Sequence, residues 1–114
     1  MRAAQRTLQL FIAALLLSAC TTLGVPTVTT FNEQLAVGYT TVTTVRQTAT
    51  TLLQAKKITA DDGQNVLNVT DGARTGLDIA RSISKTDLQA ATNKLDAVRT
   101  ILVGLQTYLA SKGR

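Results

Sequence analysis

The sequence predicts an all-α fold, a small antiparallel three-helix bundle behind a short N-terminal apolar segment and an extended tether. Three observations predict it. Apolar side chains recur at helical spacing in three successive segments. Two of those segments open on a hydroxyl residue followed three positions later by aspartate, Thr59 to Asp62 and Ser84 to Asp87, a helix-start signature. The 114 residues allow one small domain, and a single cysteine excludes a disulfide framework or a multi-cysteine metal site. The chain accordingly divides into residues 1–19, 20–30 and 31–114, with helices expected over about 31–57, 60–82 and 85–111.

Arg2 and Arg6 precede an apolar run from Leu8 to Leu17. At ~1.5 Å per residue such a helix is ~15 Å long, half the ~30 Å hydrocarbon core of a bilayer. A basic start, a short apolar run and small residues make a signal helix, to be removed after export, rather than a permanent span. Its end, Leu17-Ser18-Ala19-Cys20, resembles the lipobox of bacterial lipoproteins. The resemblance implies that Leu17, Ser18 and Ala19 are read by the processing machinery, that cleavage precedes Cys20, and that Cys20 carries diacylglyceryl and further acyl (palmitate-type) chains. It covers only the precursor end; the body matches no specific family. Two or three acyl chains anchor stably where one is marginal, each buried CH₂ contributing ~0.8 kcal/mol. Thr21, rather than aspartate, follows the cysteine, which in Gram-negative lipoproteins implies sorting to the outer membrane, facing the periplasm; in a Gram-positive cell the anchor would hold to the plasma membrane. Loss of Arg2 and Arg6 lowers the formal charge from +5 to +3, with no basic run denser than Lys56-Lys57, so nucleic acid is not an expected partner.

Residues 20–30 hold Gly24, Pro26 and several threonines and read as a tether, whose ten steps reach at most ~35 Å. The first helix places Phe31, Leu35, Gly38, Val42, Val45, Ala49 and Leu52 on one stripe, at steps of four and three. A strand is the rival over Thr40 to Thr51, which is rich in β-branched residues, but the even positions alternate into no apolar face. Seven threonines in that stretch each cost up to ~0.7 kcal/mol against alanine, so this helix must depend on packing. Lys56 and Lys57 suit its negative end. The second helix turns Gly63, Val66, Thr70, Ala73, Leu77 and Ala80 inward; the third turns Leu88, Ala91, Leu95, Val98, Leu102, Leu105 and Leu109 inward and closes near Gly113. These two segments form a weak repeat offset by 25 residues, with eight identities in 23 pairs, more than the one or two chance would supply. The offset aligns the expected caps, Thr59 with Ser84, as well as the seams.

Asp71, Arg74, Asp78 and Arg81 make an alternating-sign stripe beside the second helix's seam, repeated in part by Asp96 and Arg99. It reads either as a polar groove for a ligand or partner, or as flanking ion pairs that hold helix register, the simpler of the two. Asp61-Asp62-Gly63 lacks the ligand alternation and distal glutamate of a calcium loop and reads as capping. Gly72 and Gly76 suggest a close helix contact inside the bundle, since the charges around them exclude a lipid-facing dimer.

With no histidine in the chain and no base beside its hydroxyls, no catalytic residues, metal or cofactor are expected. The expected function is a membrane-anchored, non-catalytic envelope module, structural or protein-binding, whose partner is another envelope protein or a second copy. Two alternatives stay open: a phage- or prophage-type lipoprotein that masks a surface receptor or assists lysis, and an envelope ligand-binding protein.

Overall fold

A computed structural model describes residues 27–114. The signal segment, Leu17 to Ala19, the cysteine Cys20 and most of the tether lie outside the described residues. The body is a three-helix bundle: α1 (Val28–Gln54), α2 (Ala60–Ile83) and α3 (Leu88–Lys112). Connections of five and four residues force successive helices to run antiparallel, and every pair of helices is in contact. Among the described helices none is long and apolar enough to cross a membrane.

The predicted α1 stripe is buried at all seven positions, which settles helix against strand over Thr40 to Thr51. Most of the threonines stay outside and send their hydroxyl protons to a carbonyl one turn back, as Thr41 does to Val37 O at 2.7 Å and Thr48 to Thr44 O at 2.9 Å. That habit satisfies the hydroxyl without opening the helix. The predicted α2 and α3 seams are likewise buried, except that Gly63, Leu88 and Leu105 are half-buried, and Gly76 joins the buried set.

The expected boundaries shift by three residues in three places. α1 starts at Val28, taking three residues from the expected tether, because Thr27 caps it: the Thr30 N–H donates to Thr27 Oγ1 at 3.1 Å. α1 ends at Gln54, not 57, because Lys56 adopts a left-handed conformation (φ 59°), so neither lysine sits in the last turn. The Lys57 N–H then donates to Leu52 O at 2.9 Å and the Lys56 N–H to Leu53 O at 3.0 Å, closing a Schellman turn. α3 starts at Leu88, not 85, because its cap is Asp87, whose Oδ1 accepts from the Ala90 N–H at 3.0 Å. Ser84, the expected cap, instead terminates α2, which runs one residue further than expected.

The 25-residue repeat therefore aligns seams but not caps. One repeated detail is structural: Gln64 donates to Asn68 at 3.1 Å on α2, and the matched Gln89 donates to Asn93 at 3.2 Å on α3. The Thr59–Asp62 start forms a full capping box, with Thr59 N–H to Asp62 Oδ2 at 3.0 Å and Asp62 N–H to Thr59 Oγ1 at 3.1 Å.

The core has two clusters. One gathers Phe31, Leu35, Val42, Leu77, Leu95 and Leu102 with the alanines of α2 and α3. The other gathers Val45, Leu52, Ile58, Val66 and Leu109. Along α2 the division falls at Thr70, fully buried, between Val66 and Ala73.

Candidate binding groove between the first two helices

Thr70 occupies a seam position, so its hydroxyl must find partners inside. It donates to Val66 O at 2.8 Å, with Leu67 O also in reach at 3.0 Å. It also accepts from Arg46 Nε at 2.9 Å, which draws the Arg46 side chain across from α1. A terminal nitrogen of the same guanidinium pairs with the Asp71 carboxylate. Two groups of α2 thus hold Arg46 in one orientation, with 30% of its side chain exposed.

Two turns toward the α1 N-terminus, the Tyr39 hydroxyl donates to Asp78. Burial raises the Tyr39 pKa above its usual 10.0 first, and the bond to Asp78 and that carboxylate's charge raise it further, while Arg81 and Arg74 pull it down.

Between these two cross-links an open groove of about 580 Å³ runs along α1. Arg46, Arg74 and Gln47 supply its polar walls; Tyr39, Val42 and the threonines 43, 50 and 51 supply the rest. Its lining contains two arginines and no carboxylate. Arg74 makes no hydrogen bond or ion pair within 4 Å among the described residues.

The charged stripe of α2 thus does not pair along its own helix as flanking ion pairs would. Among the described residues the ion pair within 4 Å is Arg46–Asp71, which joins two helices. Asp71 and Asp78 fasten α2 to α1, Arg74 faces the groove, and Arg81 lies near the Tyr39–Asp78 pair. Asp96 and Arg99 are not brought to this site; they border a separate shallow depression on α3 with Thr100 and Val103. Gly76 makes the close contact expected of it, against Val98, while Gly72 has open space around it.

Sequence reasoning missed Tyr39, Arg46 and Gln47, and it turned Thr70 inward without giving its hydroxyl a partner. Arg46 carried a usable signal, as the one charged residue between Glu33 and Lys56. So did Thr70, a hydroxyl in an otherwise apolar or small-residue seam.

Among the described residues no three His, Cys, Asp or Glu side chains gather as metal ligands do. The groove sets one held guanidinium, Arg46, and one unpartnered guanidinium, Arg74, beside neutral hydroxyl and amide groups. Comparison of the chain with protein-family models, with curated proteins and with solved structures found no match.

Proposed function

We propose that the protein is a lipid-anchored lipoprotein of the cell envelope, outer-membrane and periplasm-facing if the cell is Gram-negative, whose bundle is a non-catalytic interaction module. One observation carries this reading: the chain's lone cysteine, Cys20, ends the lipobox-like Leu17-Ser18-Ala19-Cys20 behind a basic and then apolar start. The bundle's N-cap follows at Thr27, only seven residues later, a reach of at most ~25 Å. An acylated Cys20 would therefore hold the Thr27 end of the bundle close to the bilayer and leave the long α1–α2 side facing the surrounding envelope. A partner would be another envelope component or a second copy.

The test is metabolic labelling with a fatty-acid analogue, comparing the natural chain with Cys20→Ser. The natural chain should carry label and lose residues 1–19; the variant should be unlabelled and keep them. An unlabelled natural chain processed no differently from Cys20→Ser would overturn the reading.

A further inference from the structure

We infer that the α1–α2 groove binds a short, extended, acidic peptide segment. The inference deepens the reading of the bundle as an interaction module, and rests on it, by naming the chemistry of the partner.

Charge selects an anion. Asp71 and Asp78 stand at the two ends of the groove, committed to Arg46 and to the Tyr39 hydroxyl, so Arg74 is the lining cation left without a partner among the described residues; Arg46, held by Thr70 and Asp71, loses little side-chain freedom when a ligand also meets it. Hydrogen-bond polarity then selects a peptide among anions. Thr43, Thr50 and Thr51 each commit their hydroxyl proton to a carbonyl of α1, at 3.4, 3.0 and 3.1 Å. Toward the groove such hydroxyls offer acceptor lone pairs, whereas arginines offer donors alone. A ligand that brings both carboxylates and N–H donors meets both kinds of group. An acidic peptide brings both; phosphate and sulfate ions, largely acceptors at neutral pH, satisfy only the arginines. The Gln47 amide can do either and suits a peptide backbone.

Length agrees with this choice. From Tyr39 to Thr51 the groove follows α1 for ~18 Å at ~1.5 Å per residue. An extended segment of about five residues, at ~3.3 Å each, covers that distance.

The test is fluorescence anisotropy of rhodamine-labelled pentaglutamate titrated with the full chain in detergent. Saturable binding is expected, weaker by about tenfold or more for pentaglutamine and for Arg74→Gln, since a hydrogen bond to a charged group is lost in each case. Arg74 is exposed and unpaired among the described residues, so its replacement should leave the far-ultraviolet circular dichroism unchanged. Gln47→Glu, a second surface change that adds a like charge to the groove, should weaken pentaglutamate binding in the same sense. Inorganic phosphate at matched concentration should not displace the peptide. Absence of saturable binding, full-strength binding by both variants, or displacement by phosphate would each overturn the inference. An unlipidated chain that still binds pentaglutamate would remove the anchor and keep the groove; a lipidated chain that ignores it would do the reverse.

Discussion

Gly72 and Gly76 stand one turn apart on α2, on neighbouring parts of its surface, and packing gives them opposite roles. A Cβ at Gly76 would fall 2.6 Å from Val98 Cγ2, a stiff β-branched side chain that is itself buried. A Cβ at Gly72 would meet nothing within 4 Å. Gly76→Ala should destabilise the protein by about 1–3 kcal/mol through overpacking, while Gly72→Ala should stabilise it by about 0.5–1 kcal/mol through helix propensity. Paired urea denaturation of the two variants checks this, and a loss of stability from both would refute it. The spacing of the two glycines marked them as a pair, but only the α3 side chain across from them separates their roles. Thr70 and Arg46 repeat the lesson. Each is visible as an anomaly in its own pattern, a hydroxyl in a seam and a single charge in a long neutral stretch, yet their bond joins residues 24 apart in the chain.

The helices themselves were legible because stripe and cap are local. Thr59 through Asp62 announces the capping box that forms, and the stripe of α1 is buried at all seven predicted positions. Two of the ends that moved are those where the usual signal is absent or duplicated. At the end of α1 a lysine, Lys56, takes the left-handed position that glycine ordinarily fills, so nothing in the sequence marks the stop. Lys56→Gly should raise stability by about 1 kcal/mol by relieving that strain, measurable as an increased Tm. At the start of α3, Ser84, Thr86 and Asp87 all compete as caps, and Asp87 wins because α2 continues to Ile83. The Thr59 N–H and hydroxyl hold the Asp62 carboxyl below its usual value of 3.8. The folded protein therefore binds this proton less readily than the unfolded chain. The stabilisation it brings is complete above the unfolded value and is lost as pH falls through the lower folded one. Asp62→Asn keeps an acceptor for Thr59 but does not titrate. The natural chain should have the higher Tm at neutral pH, and the difference should close as the pH falls below the folded-state value. A difference that stays constant across the acid range would show that the charge of Asp62 contributes nothing.

For the molecule as a whole, two apolar clusters are strung along the same three helices, so neither can open without disturbing elements that serve the other. Unfolding should be a single cooperative transition. Leu77 is fully buried in the first cluster and touches the position where α1 has Gly38, whose Cβ would lie 2.9 Å from Leu77 Cδ2. Leu77→Ala should cost about 2–5 kcal/mol, a large part of the ~5–10 kcal/mol expected for a body this small, and calorimetry should show a sharply lowered Tm with one peak. Two separate transitions in the natural protein would mean that the clusters fold independently. The amino-acid order alone determined which segments are helical, which faces they bury and that short loops make them antiparallel, since these follow from periodicity and local hydrogen bonding within a few residues. Only the tertiary structure decided that the acidic members of the α2 stripe, Asp71 and Asp78, serve as cross-links to α1, that Asp96 and Arg99 stand apart from them, and that two arginines share a groove. The relative rotation of neighbouring helices sets those pairings, and that rotation is fixed by how side chains from distant parts of the chain interlock.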